Sequence, residues 1–294
     1  MNLIPFVIII IVILGMFSYS SFSSSITKKK EATHYKAYFQ GLREIRNLKA
    51  EQAYLSQLTS KERAELDTPK EFSYFRERWE GAPQGRINLY PLIENPASNK
   101  TLYSVALNYL ELLYGTALFH ENKDQGMCKK ILDQLLKSQK KSFKETQGPL
   151  KLYEVVFEES HLKEKYFKML SGTTSYNLRE KQGYLPLKQA IEFEKSTSKP
   201  IKFPYANTLL IEALFGKKVT KEILNAELEI QQTEEKVSNT YALTENDLKE
   251  ITWKNNVDDQ VFLLLDYKKT KDSPPISWTD PNTNITIRLQ SDYK

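Results

Sequence analysis

The chain has 294 residues, 40% of them hydrophobic and 27% charged, with 17 Tyr, 14 Phe and one cysteine. That balance excludes a disordered chain, and the lone Cys128 excludes an internal disulfide framework. The net charge of +5 is modest and dispersed, and basic runs such as KSQKKSFK carry no groove-reading motif, so no nucleic-acid partner is expected.

The first element is apolar. Between Asn2 and Thr27 no residue is charged, and from Leu3 to Phe17 nearly every residue is a large aliphatic or Phe. A bilayer span needs roughly 20 mostly apolar residues, and in lipid such a run must be a helix. The run is longer than a signal-peptide core, so the expectation is an uncleaved anchor meeting the lipid bilayer through residues 3–22, with residues 1–27 as a transmembrane helix. Lys28, Lys29 and Lys30 follow directly, and the positive-inside rule would keep such a cluster in the cytoplasm.

About 265 residues remain, enough for one large or two small domains at roughly 100 to 200 residues each. Tyr35, Tyr38, Phe39, Leu42, Ile45, Leu48, Leu55 and Leu58 fall near helical spacing, so anchor and stalk read as one rod. Thr59 with Glu62 makes a capping box for a short new helix, and TPKE at Thr68–Glu71 repeats the start signal; residues 28–84 are thus stalk and connecting helices.

Residues 85–235 read as an all-α domain. Leu102, Val105, Ala106, Tyr109, Leu110 and Leu113 fill one helical face, with Gly115 as its stop. Further stripes are Ile131, Leu132, Leu135 and Leu136; Tyr153, Val156 and Phe157; Leu187, Ala190 and Ile191; and Leu209, Leu210, Ala213 and Leu214, halting at Gly216. GRINLYPLIENPASNKTLYSVALNYLELLYG and KPIKFPYANTLLIEALFG each run from an extended stretch through Pro and Asn into a helix ending at Gly, which suggests two similar units. Residues 236–294 change period. VFLLLDY (Val261–Tyr267) reads as a buried strand and NITIRL as a half-buried one, with a Pro-rich loop between, so a small antiparallel sheet is expected.

The search for chemistry is mostly negative: no phosphate-cradling Gly motif, no H-E-x-x-H, no Cys pair and no G-x-S-x-G elbow. Glu31 with His34 and Glu158 with His161 have the Glu-x-x-His spacing of di-iron bundles, but both sit in charged surroundings and read as surface residues. His120 reads as a helix-end cation, Cys128 as a half-buried spectator, and Asp258-Asp259 as solvated charges. No catalytic residue, metal or cofactor is expected.

The layout resembles the K-type minor pseudopilins of bacterial type II secretion. LIPFVIIIIVILG looks like the pilin apolar segment; GRINLYPL (Gly85–Leu92) is similar to the stretch that opens the K-type helical insert; IKFPYANTLLIEALFG with VTKEIL looks like its later segment leading into a helical hairpin. The resemblance covers nearly the whole chain through short motifs. It departs from the pattern where Met1 and Asn2 stand in place of a basic leader ending in Gly, and where Pro5 stands near the Glu of major pilins; no calcium cluster carries over.

What the resemblance implies is an α+β, mainly helical protein. It would have an N-terminal transmembrane and stalk helix, an all-α middle domain and a small C-terminal antiparallel sheet, pilin-like with a helical insert. It further implies a non-enzymatic pseudopilus tip or initiation subunit in the cytoplasmic (inner) membrane, single-pass with its bulk periplasmic, against the orientation argued by Lys28–Lys30. Its partners would be other pseudopilin subunits or secretion proteins, packed on the stalk through Tyr38, Phe39, Leu42 and Ile45. The alternatives are a bitopic membrane protein carrying a plain helical interaction module, and a membrane-anchored hydrolase using scattered carboxylates.

Overall fold

The computed structural model describes residues 4–57, 74–119, 126–173, 176, 178, 183–196, 198–233, 241–269, 276–279 and 286–289. Within the first helix, side chains are described at 14–16, 19 and 22–50. The chain is mainly helical and divides into two compact units, Met1–Asp67 with Ile276–Leu289 and Thr68–Pro275 with Gln290–Lys294.

The first unit is built on α1 (Ile4–Gln57), one unbroken helix of 54 residues, about 80 Å long at 1.5 Å per residue. The serine cluster does not interrupt it. Hydroxyl side chains can turn back onto the preceding helical turn, as Thr27 Oγ1 does onto the Ser23 carbonyl at 3.0 Å and Thr33 onto Lys29 at 2.9 Å. Ala37, Gly41 and Ile45 recur every four residues on its buried face. The Thr59–Glu62 box and the TPKE start signal lie outside the described residues.

The second unit opens with α2 (Phe75–Arg78), a 3-10 turn at Pro83–Gly85 and the dipeptide β1 (Ile87–Asn88). A Cβ on Gly85 would stand 2.7 Å from the Tyr205 carbonyl oxygen, so this backbone approach admits only glycine. After α3 (Tyr90–Glu94) comes α4 (Lys100–Leu110), whose six stripe residues are all buried, Leu113 included. Gly115 does not stop it. The chain widens into a π-turn at Glu111–Gly115 and runs on as helix to Leu118, burying Tyr114, whose hydroxyl donates to the Leu185 carbonyl at 2.8 Å.

Next come α5 (Met127–Thr146) and α6 (Ser160–Ser171). The stripe read at Tyr153 is corrected: Leu152–Glu154 is a 3-10 turn, and Tyr153 and Val156 are exposed. α7 (Leu187–Ala190) is a single turn leading into β2 (Ile191–Glu192). β3 (Ile201–Lys202) then enters α8 (Thr208–Thr233), whose helix is broken where expected, at Gly216, with φ 77° and ψ 161°. α9 (Glu245–Trp253) starts at a capping box between Thr244 and Asp247.

The expectation of one small antiparallel sheet is corrected: the described strands form three separate pairs, two of them parallel. β1 pairs β2 in parallel, Ile87 opposite Ile191 and Asn88 opposite Glu192. β3 pairs in parallel with β4 (Leu265–Asp266), Ile201 opposite Leu265. Each pair joins the dipeptide opening a helical run to the dipeptide closing it. VFLLLDY is therefore mostly no strand. Asp258 accepts from Gln260 N at 2.9 Å and starts a 3-10 turn over Asp259–Leu264, and an unbroken apolar run cannot by itself tell strand from buried turn.

The antiparallel pair belongs to the first unit: β5 (Ile276–Thr279) with β6 (Thr286–Leu289). β5 lies in the Pro-rich stretch whose sequence reads as loop, and β6 falls within NITIRL, with Trp278 opposite Ile287. Both strands pack on α1.

Candidate functional site

On α1, Tyr35, Tyr38, Phe39 and Leu42 stand at i, i+3, i+4 and i+7, which places them along one line of the helix surface. Tyr38 is 46% exposed and Phe39 65%, and their rings meet edge to face with centroids 5.7 Å apart. Leu42 is half-buried. Ile45 is fully buried and sits instead on the face with Ala37 and Gly41. Of the four expected stalk-packing residues, three thus share an open apolar stripe beside the buried face. Leu14, Met16, Tyr19, Phe22 and Ile26 are also exposed further toward the amino end. A soluble helix rarely leaves so many large apolar side chains in water, and contiguous ones mark a lipid or protein contact.

Most of the apolar run falls on residues whose side chains are not described; among the described residues no helix is long and apolar enough to cross a membrane. Lys28, Lys29 and Lys30 are exposed on α1.

The second unit holds a buried polar knot that sequence reading missed. Arg76 and Glu227 are both fully buried and form a two-pronged ion pair, Nε and Nη2 to the two carboxylate oxygens. Nη1 donates to the Phe203 and Ala206 carbonyls, each at 2.8 Å, so α2 is fastened to the turn entering α8. The guanidinium also lies 4.7 Å from the Phe203 ring centroid. Tyr74 Oη and Leu243 N donate to the same carboxylate, at 2.6 and 3.2 Å. Burial disfavours the charge on Arg76, but Glu227 outweighs it and the guanidinium pKa is raised; burial also drives the Tyr74 phenol far up. Every group is engaged with protein, so the knot locks elements together and presents nothing to a substrate. The partners are 151 residues apart, and no local pattern announces them.

The remaining chemical candidates do not converge. Cys128 is buried, and burial pushes its thiol up to about 12, the opposite of an activated nucleophile. Glu31, His34 and Glu158 are exposed and His161 half-buried; among the described residues no group of His, Cys, Asp and Glu is placed to hold a metal. His120 lies outside the described residues, and Asp258 serves as the cap already noted.

A concave surface does exist in this unit, between α3, α4 and α5: a groove of about 330 Å³ bordered by Tyr103 and Asp133 and by three lysines. Tyr103 Oη donates to Asp133 Oδ1 at 2.7 Å, and burial together with that carboxylate pushes the phenol up to about 12.

No family model, no curated protein and no solved structure matches the chain.

Proposed function

We propose that the protein is a membrane-anchored, non-enzymatic subunit of a protein secretion assembly, acting at the tip or initiation point of a pseudopilus in the manner of a K-type minor pseudopilin. The observation that carries the reading is the connectivity. The helix that continues the apolar run is joined by the hairpin from the far end of the chain, and the whole helical unit is inserted between them. A stalk helix with a terminal hairpin and an interposed head is the layout such a subunit requires; a plain anchor with a helical module has no need to return its last strands to the anchor helix.

In this reading the open stripe of Tyr35, Tyr38, Phe39 and Leu42 is a heterologous packing surface for neighbouring stalks. The apolar run lies in the inner membrane, and the head stands outside it. Mechanical work of this kind needs no reactive group. The test is Phe39→Glu combined with Tyr38→Glu in the source cell. Both side chains are exposed, so the fold is retained by circular dichroism while other pseudopilins no longer co-purify with the chain. Undiminished co-purification would remove the stripe from the assembly and the reading with it.

A further inference from the structure

The groove between α3, α4 and α5 combines an apolar lining with a basic rim. Leu92, Ile93, Pro96 and Leu136 give it an apolar lining, while Lys100 on α4 and Lys137 and Lys140 on α5 stand around it. Its volume, about 330 Å³, is at the lower end of sites that take a ligand or an anchoring side chain. On α5 the contributors are Asp133, Leu136, Lys137 and Lys140, at i, i+3, i+4 and i+7, so the wall is one straight face of a helix.

The charge on this face is unbalanced. Elsewhere on α5, Lys130 pairs with Glu159 and Lys141 with Glu145. Among the described residues no ion pair involves Lys100, Lys137 or Lys140, and the one acid lining the groove, Asp133, is engaged by the Tyr103 hydroxyl. Three cations on two walls, spaced by about a helical turn on α5, match several carboxylates carried along a backbone.

We propose that this groove docks an acidic amphipathic helix of a partner protein, whose apolar anchor enters between Leu92, Ile93 and Leu136 and whose carboxylates one turn away face Lys100, Lys137 and Lys140. The mode is helix-in-groove recognition: buried apolar anchors hold, and rim charges select partner and orientation. The site lies wholly within the helical unit and does not depend on the stalk reading.

The test uses the full chain in nanodiscs, where no free detergent competes, and fluorescence anisotropy of a labelled helical peptide with Phe and Leu at i and i+4 and Glu one turn to either side. The same peptide with every Glu replaced by Lys is the control. The expected result is saturable binding of the Glu peptide alone, weakened about tenfold by Lys137→Glu with Lys140→Glu and again by a rise to about 1 M salt, where the screening length falls to roughly 3 Å. Both lysines are exposed, so the variant keeps the wild-type unfolding midpoint. Absence of saturable binding, equal binding of the Lys peptide, or indifference to the lysine variant would each overturn the proposal. Displacement of the peptide by free decanoate at equal affinity would assign the groove to a single-chain amphiphile instead.

Discussion

Replacing Glu227 with Gln tests whether the buried knot holds the helical unit together. Gln keeps the shape but only one carbonyl oxygen, and since Tyr74 Oη and Leu243 N donate to different oxygens of the carboxylate, only one of them retains its acceptor. Its amide NH₂, however, is turned toward a guanidinium that can only donate, and Arg76 is left fully buried with its charge uncompensated. Removing one partner of such a pair costs about 3–5 kcal/mol, roughly a fifth or more of a typical domain's stability of roughly 5–15 kcal/mol. Arg76→Met should cost a similar amount, by stranding the carboxylate and the Phe203 and Ala206 carbonyls. The double variant should fall short of the sum by about 2 kcal/mol or more, because each single change already removes the shared interaction. Trp79, 1% exposed and stacked edge to face on Tyr205 at 4.5 Å, reports urea unfolding once Trp253 and Trp278 are changed to Phe. A loss below about 1 kcal/mol for Glu227→Gln, or simple additivity, would refute the argument that the pair is the fastening.

Other outcomes follow from single residues. Cys128, with its thiol raised from 9.0 to about 12, should react with iodoacetamide at pH 8 roughly a thousandfold more slowly in the folded chain than in urea; comparable rates would mean an exposed or activated thiol. Gly216→Ala should cost about 1–3 kcal/mol through backbone strain alone, since an added Cβ there meets nothing within 4 Å while φ 77° with ψ 161° is glycine's territory. Glu192 sits in β2 with its carboxyl raised above 4.5 by burial, partly offset by Arg86. Its folded form holds the proton longer than its unfolded form, so it favours folding below the ordinary carboxyl range and this contribution is lost as pH rises through the raised value. Glu192→Gln should therefore flatten the fall in stability from about pH 4 upward, measured as midpoints across pH, and an unchanged slope would contradict the assignment.

Legibility in the sequence followed the range of the interaction. The α4 stripe and the helix break at Gly216 were readable because helical periodicity and glycine's backbone freedom act within a few residues. The unbroken α1 was readable for the same reason. The 3-10 turn at Asp259–Leu264 was not, since an apolar run is buried equally well as strand or turn. α9 was missed although Thr244 and Asp247 stand at capping-box spacing, which was the available signal. β5, in ISWT, was hidden by the prolines around it and emerges only through pairing with β6. The Arg76–Glu227 pair had no local signature, because it joins elements 151 residues apart. The lysine-rimmed groove is formed by three successive helices, and its basic wall lies in the KSQKKSFK run, but the run alone does not show the apolar floor that Leu92 and Ile93 add beside it. On the stalk, spacing gave Tyr38, Phe39 and Leu42 correctly as neighbours, but it could not say that Ile45 turns to the buried side, which depends on what packs against α1.

The central claim is that the anchor helix carries the body of the chain across the inner membrane, against the signal of Lys28, Lys29 and Lys30. Fusing a phosphatase active only outside that membrane after Lys294, beside a matching reporter active only in the cytoplasm, tests it directly. The account predicts phosphatase activity and a silent cytoplasmic reporter. The reverse pattern would place the helical unit in the cytoplasm and contradict the secretion role outright.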